Sequence, residues 1–304
     1  MARPVVRVRA SRTVGIRNDP ARARRRDPYQ EQEEVVLDAT DTTTSLDVPA
    51  NAGFRAQITG AVATITLCRP EKLNAQTPNT WSGLTEVASQ LPGTVRVVVL
   101  RGEGRSFSAG LDRAMFTPDG VEGVPGILSL TQMSESDAAA HIAAWQRAFD
   151  WMSRPSVVSI AAVQGHAIGA GFQLALGADI RILADDAGLV MAEPKLGIVP
   201  DLGGTKRLVD LVGYSRAAEI CLTGRPVLAD EALRIGLASH VVGREDLDSA
   251  VERTVSAVLA VHRDAATETK ALLLGAAGRT QDEQERAERE AQYRRLRALV
   301  GLSE

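Results

Sequence analysis

The chain has 304 residues, of which 44% are hydrophobic and 24% charged, with a formal net charge of -3. That is enough length and apolar content for one large domain or two small ones around a sizeable core. No apolar run reaches the roughly 18 residues of a membrane span, and the N-terminal stretch lacks the apolar segment of a secretory signal, so a cytoplasmic protein is expected.

The two cysteines, Cys68 and Cys221, lie far apart in apolar surroundings, and the four histidines show no ligand spacing. This pattern predicts free thiols and no metal, rather than a disulfide framework. Residues 1–26 carry nine arginines against the single acid Asp19, whereas residues 27–50 carry seven acids and no base. Such charge blocks stay solvated, so residues 1–50 read as a disordered charged extension. A nucleic-acid arm or a transit sequence would also be Arg-rich, but residues 1–26 hold one Ser and no aromatic residue, which fits neither use well.

From Phe54 the pattern changes. "FRAQITGAVATITLC" alternates apolar and polar residues on both sides of Gly60, predicting a β-hairpin. "RPEKLNAQTPNT" is a turn leading into a helix around Trp81 to Leu91, and "VRVVVLRGEG" is a strand buried on both faces. In "RSFSAGLDRAMF" a turn enters a helix for which Asp112 is an N-cap candidate. Residues 117–133 are rich in Gly and Pro and read as a mobile loop. A helix from about Ser136 to Met152 precedes the strand "SVVSIAAVQG" and a glycine-rich turn, "GHAIGAG". Short strands "DIRILAD" and "GLVMAE" follow, then a second glycine segment, "PDLGGTKRLVDLVG". "ADEALRIGL" has helical spacing with an acid placed to cap it, and residues 247–298 keep roughly helical period. Strands followed by glycine turns and helices recur at least three times, which predicts α/β layering with strand spacing too irregular for simple βαβ winding.

The glycine turns are not nucleotide loops. "GHAIGAG" is not G-x-G-x-x-G, and "GGTKR" lacks the spacing and Lys-Ser/Thr pair of a P-loop. No H-E-x-x-H, paired C-x-x-C or G-x-S-x-G occurs, which removes zinc hydrolases and α/β-hydrolases. What remains is a pair of turns, "SAGLD" and "GAG", each ending a strand and opening a helix. A helix N-terminus presents unpaired N–H groups, and glycine lets a ligand approach them closely. Two such turns facing one another would hold a developing negative oxygen. Glu193, a single acid in the apolar stretch "VMAEPKLGIVPDLGGT", should be desolvated and so poised as a general base. Asp201, eight residues on, either faces the same cavity or caps the helix beginning near Gly204. His166 reads as a packed or hydrogen-bonded residue, and Trp145 and Trp151 as core or loop anchors.

Taken together, "RPEKLNA", "RSFSAGLD", "AAVQGHAIGAGFQLALGADIR", "AEPKLGIVPDLGGTKRL" and "LTGRPVLADEALRIGL" resemble the enoyl-CoA hydratase/isomerase (crotonase) superfamily over roughly residues 54–275. The resemblance implies an α/β spiral of ββα repeats at residues 51–245 and a helical region at 246–304 that mediates trimers or dimers of trimers. It implies an acyl-CoA thioester as substrate, with no cofactor beyond the coenzyme A it carries, and neither a membrane nor a nucleic acid as partner. The oxyanion N–H groups would belong to Leu111 and Ala170, beside Ser108, Ala109, Gly110, Asp112 and Gly169. Leu73, Asn74 and Ala75 would line the CoA pocket with backbone groups, and Lys270 would meet CoA phosphates. Hydratases of this family have glutamates at the positions of both Gln173 and Glu193. The amide at 173 can orient water but cannot exchange a proton, which turns the expectation towards double-bond isomerisation by Glu193, with hydration second. Dienoyl-CoA isomerases share an acid at the position of Asp201 but have an aspartate where Gln173 stands. A non-catalytic acyl-CoA binder is the expectation from another class.

Overall fold

The structure, a computed structural model, describes residues 42–121 and 123–302; the reading of residues 1–41 as a charged extension lies outside them. Residues 43–45, placed in that extension, instead form an edge strand, β1 (Thr43–Ser45), because three residues of backbone pair antiparallel with β2 (Phe54–Thr59). The hairpin around Gly60 closes β2 on β3 (Val62–Leu67). α1 (Pro78–Gln90) starts at Thr77, whose side chain forms a capping box with Thr80, and has Pro78 at its first position. Then come β4 (Val97–Gly102), α2 (Glu135–Asp150) capped by Ser134, β5 (Val158–Val163) and β6 (His166–Ile168).

The second half continues with α3 (Ala170–Gly177), β7 (Ile180–Ala184), β8 (Gly188–Val190), α4 (Gly204–Val212) and α5 (Tyr214–Thr223). β9 (Val227–Leu228), α6 (Ala229–Arg234) and β10 (His240–Val242) follow. The helical tail resolves into α7 (Leu247–Ala260), α8 (Arg263–Ala276) and α9 (Gln281–Leu299). Two local expectations need correcting. The stretch read as a loop contains a 3-10 segment at Ile127–Gln132, too short for a periodicity to register. α6 has Leu228 at its N-cap with no side-chain cap; its acids, Asp230 and Glu231, lie in the first turn, where they meet the helix dipole.

A seven-stranded sheet runs β1-β2-β3-β4-β5-β7-β10, antiparallel at the hairpin edge and parallel from β3 onward, and a small sheet runs β6-β8-β9. The side-chain alternation of central strands divides the apolar residues between two cores. Val98, Leu100, Ala161 and Val163 face the larger core with α1, α2 and α3, while Val97, Val99, Ile160 and Ala162 face the one closed by α7. This accounts for the unbroken apolar reading of "VRVVVL". The strands thus end in glycine turns on the side of the larger core, where α3 begins.

Candidate active site

Both glycine turns have backbone that only glycine adopts without strain. Gly110 has φ +83, and a Cβ there would lie 2.3 Å from the Ile168 carbonyl oxygen and 3.3 Å from the Ala170 nitrogen. Gly169 has φ +53 and ψ -119, and a Cβ there would lie 3.2 Å from Glu193 Oε1. These close approaches bring Leu111, Ala170 and Glu193 near one another. Residues 108 and 167 are joined by a parallel bridge, with the Ile168 N–H donating to the Ser108 carbonyl at 3.0 Å. On its other side the first turn pairs with residue 76: the Gln76 N–H donates to the Gly110 carbonyl and the Asp112 N–H to the Gln76 carbonyl. That pattern turns the N–H of Leu111, the residue between, away from Gln76. Ala170 is the first residue of α3, so its N–H has no acceptor within the helix. Among the described residues neither of these two N–H groups has a protein acceptor.

A buried chain of side chains fixes the first turn. The Trp81 indole N–H donates to Gln76 Oε1 at 2.8 Å, Gln76 Nε2 donates to Ser108 Oγ at 3.0 Å, and the Ser108 hydroxyl donates to the Asn74 carbonyl at 2.8 Å. Ser108 Oγ also accepts the Gly110 N–H. Ser108 is fully buried, and its hydroxyl holds the turn. Gln76 and Trp81 were not legible as site residues. Their partners lie in other segments, and a lone Gln in a turn carries no pattern.

Leu73 and Asn74 stand in left-handed backbone, φ 51 and 55, unusual for residues other than glycine. Asn74 makes this conformation hold: Nδ2 donates to the carbonyls of Glu103 and Ser106 at 2.9 and 2.8 Å, and Oδ1 accepts the Arg69 N–H at 3.0 Å. The N–H groups of Leu73, Asn74 and Ala75 already donate to the Pro70, Arg69 and Lys72 carbonyls. A ligand therefore meets only the second lone pairs of their carbonyls, a narrower offer than the backbone lining expected for this segment. Replacing Asn74 by Ala leaves the buried Ser106 carbonyl, the half-buried Glu103 carbonyl and the Arg69 N–H without these partners and should cost about 2–4 kcal/mol of unfolding free energy, read as a lowered midpoint in urea at unchanged slope.

Asp112 is the N-cap of the 3-10 segment Arg113–Phe116 and accepts the Ala114 N–H. Burial alone would raise its pKa, but the Ala114 N–H, the Arg69 hydrogen bond at 2.9 Å and the Lys72 and Arg69 charges together hold the carboxyl below its ordinary value. It is thus a structural anion paired to the "RPEK" turn. Lys270 needs a correction. Its ammonium is buried on α8 and donates to the Met152 and Val157 carbonyls and to Asp179 Oδ2, at 2.8, 2.7 and 2.7 Å. All three donors are occupied, so it ties α8 to the sheet and is closed to a phosphate.

Glu193 is buried, 6% exposed. Desolvation raises its pKa most, with a further push from Asp201, against the lowering effect of its own N–H and of Gln173. Its Oε1 accepts from Gln173 Nε2 at 2.7 Å, while its buried Oε2 has no hydrogen-bond partner. Asp201 is half-buried and raised by desolvation, and its carbonyl accepts from Gln146 Nε2 of α2 at 2.7 Å. It does not cap α4, whose N-cap is Gly203 without a side-chain cap. Instead Gln173 Oε1 accepts the N–H groups of Leu202 and Gly204 at 3.0 and 3.2 Å.

His166 is exposed on β6 rather than packed, with its carbonyl accepting the Ser108 N–H at 2.9 Å, whereas Trp151 is buried and Trp145 stacks obliquely on Trp81 with ring centres 5.3 Å apart, as anchors. Cys68 and Cys221 are free and half-buried, both raised by desolvation. Among the described residues no three His, Cys, Asp or Glu side chains are grouped to hold a metal ion, and no helix is long and apolar enough to cross a membrane. A cavity of about 460 Å³ lined by Arg55, Arg101, Gln164 and Arg244 includes none of the candidate site residues. Its three arginines are paired with Glu103, Asp248 and Asp186.

An α/β scaffold that brings two glycine turns together beside one buried, hydrogen-bonded carboxyl defines a class of acid–base site built to receive negative charge on an oxygen. Comparison with known proteins gives the family. The sequence profile of the enoyl-CoA hydratase/isomerase family matches residues 57–298. A Thermobifida fusca protein provisionally named an enoyl-CoA hydratase, solved in complex with acetoacetyl-CoA, is 49% identical with a TM-score of 0.78, covering 81% of this chain and 95% of its own. The Mycobacterium bovis protein echA8, also provisionally an enoyl-CoA hydratase, is 32% identical over 213 residues, 69% of this chain and 76% of that one. A mitochondrial Delta(3,5)-Delta(2,4)-dienoyl-CoA isomerase of Dictyostelium discoideum is 31% identical over 188 residues, 61% of this chain and 63% of that one. The chain belongs to the enoyl-CoA hydratase/isomerase family, has the crotonase fold and is an enzyme of that family.

Proposed function

We propose that this enzyme moves the double bond of an enoyl-CoA thioester by proton transfer through an enolate. Glu193 takes a proton from C2, and the electron pair flows into the thioester carbonyl, whose oxygen rests between the N–H groups of Leu111 and Ala170. Protonated Glu193 then returns the proton at C4, and the electrons fall back to leave a double bond between C2 and C3. Written this way the reaction calls for no cofactor beyond the coenzyme A of the substrate. The observation that carries the reading is the carboxamide of Gln173. It accepts two backbone N–H groups and donates to Glu193, so position 173 offers no second carboxyl to exchange a proton.

The pH dependence follows from the same carboxyl. Glu193 must be ionised to act and its pKa is raised, so the rate rises with pH along a limb centred above the ordinary glutamate value of about 4.3. Stability runs the other way. A carboxyl whose folded pKa exceeds its unfolded one binds its proton more tightly when folded, so this group's contribution falls as pH rises from the unfolded to the folded value. A pH series of initial rates beside urea midpoints checks both signs.

Asp201 favours a second reading. It is raised by desolvation and its charge acts on Glu193, so the two acids could serve opposite ends of a dienoyl-CoA system. The relative named as a dienoyl-CoA isomerase agrees with that use. Assembly as trimers or dimers of trimers is part of the proposal, and exposed Leu273, Tyr293, Leu296 and Leu299 on α8 and α9 support a covered helical face.

The test is to incubate the enzyme with a 2-enoyl-CoA in heavy water and resolve the thioesters by mass spectrometry and NMR. Unhydrated product with deuterium at C2 or C4 and a shifted double bond is expected. A 3-hydroxyacyl-CoA as the main product would make the enzyme a hydratase. Tight binding without any turnover would make it a carrier.

A further inference from the structure

We propose that Gln173 is a positioning residue: its amide fixes Glu193 by one oxygen and thereby assigns proton exchange to the other, Oε2. The inference rests on Glu193 being the base. Gln173 lies in α3, fully buried, with its own N–H bonded to the Gly169 carbonyl at 2.9 Å. Its amide orientation is forced, because two backbone donors, Leu202 N–H and Gly204 N–H, point at one atom. A flipped amide would set N–H groups against N–H groups, so the atom facing Glu193 has to be the nitrogen.

The bond at 2.7 Å therefore runs from Gln173 Nε2 to Glu193 Oε1. A proton on Oε1 would collide with that donor, whereas Oε2 has no hydrogen-bond partner and is buried beside the Gly169 turn. The amide also stands where α4 lacks a side-chain cap of its own, with its carbonyl at the helix N-terminus. The helix dipole draws charge towards that carbonyl and strengthens the N–H donated to Glu193. Gly204 allows this contact, since a Cβ there would lie 2.7 Å from Gln173 Cγ. A glutamate at 173 would keep the acceptor for α4 and lose the donor for Glu193. One side chain thus couples the second glycine segment to the base.

The experiment measures exchange of the C2 protons of a 3-enoyl-CoA into heavy water as a function of pH for wild type, Gln173→Met, Gln173→Glu and Glu193→Gln, with thermal midpoints alongside. Gln173→Met removes both bonds. It should lower kcat about 10–100-fold with little change in KM, and shift the rising limb about one pH unit upward. Gln173→Glu keeps the acceptor for α4 but sets a second carboxylate against Glu193, so it should move the limb further upward than Gln173→Met. A residue that merely caps α4 would lower the thermal midpoint of Gln173→Met and leave its limb where wild type has it, and that result overturns the proposal. If Gln173→Met does not fold, the smaller Gln173→Ala is read in its place. Exchange surviving in Glu193→Gln overturns the reading of the base itself. Loss of exchange there, with the wild-type limb intact in the Gln173 variants, overturns only the positioning role.

Discussion

Glu193→Gln should lower kcat for double-bond migration by about 10²–10⁴-fold with KM nearly unchanged, the range that a positioned general base contributes. The substitution keeps the shape of a buried side chain and removes the carboxyl proposed to carry the proton between carbons. KM should hold because the N–H pair and the "RPEKLNA" segment are untouched. Protein stability should rise slightly above neutral pH, since an amide does not carry the desolvation penalty that raises this carboxyl. Steady-state kinetics with a 3-enoyl-CoA, together with urea unfolding, reads all three quantities. Unchanged kcat would move the base elsewhere, with Asp201 the next acid to replace.

Gly110→Ala is the second large effect. The added methyl would sit 2.3 Å from the Ile168 carbonyl oxygen in a backbone of φ +83, so one glycine turn must move away from the other. Displacing one N–H donor from a charge-stabilising pair costs about 10²–10³ in kcat. The strain and clash together should remove about 2–4 kcal/mol of stability. Both losses should appear without a change in the pH limb, because Glu193 stands against Gly169 of the other turn. A limb that moved with Gly110→Ala would mean that the two turns are not separable in function. Circular dichroism midpoints and kcat at several pH values distinguish the cases.

The parts of the site that were legible in sequence are those in which one residue type answers a local backbone demand. Gly110 and Gly169 close strands against helices, and Glu193 is a lone acid in an apolar run; both patterns are visible without a partner. The alternating cores were legible for a similar reason, since "VRVVVL" has to serve two faces. Other roles depend on residues far away in the chain. Gln173 meets Leu202 and Gly204, 29 and 31 residues on, so nothing near it announces that its oxygen caps α4. Lys270 read as a free cation because its three acceptors, at residues 152, 157 and 179, come from the sheet side of the fold. Asn74 and Ser108 belonged to quoted motifs, yet their side chains hold the turns and leave the pocket to backbone atoms. Residues 127–132 escaped notice because a single 3-10 segment is shorter than the window in which helical period can be seen.

The central claim is that one buried carboxyl carries the proton from C2 to C4. The measurement that tests it most directly is a single turnover of a 3-enoyl-CoA deuterated at C2, run in ordinary water, with the label at C4 of the product quantified by NMR. Glu193 Oε2 is buried and has no hydrogen-bond partner, so part of the deuterium should arrive at C4 of the same molecule. Deuterium found wholly in the solvent, with a hydroxyl at C3 of the product, would contradict the account and place water at the centre of the reaction.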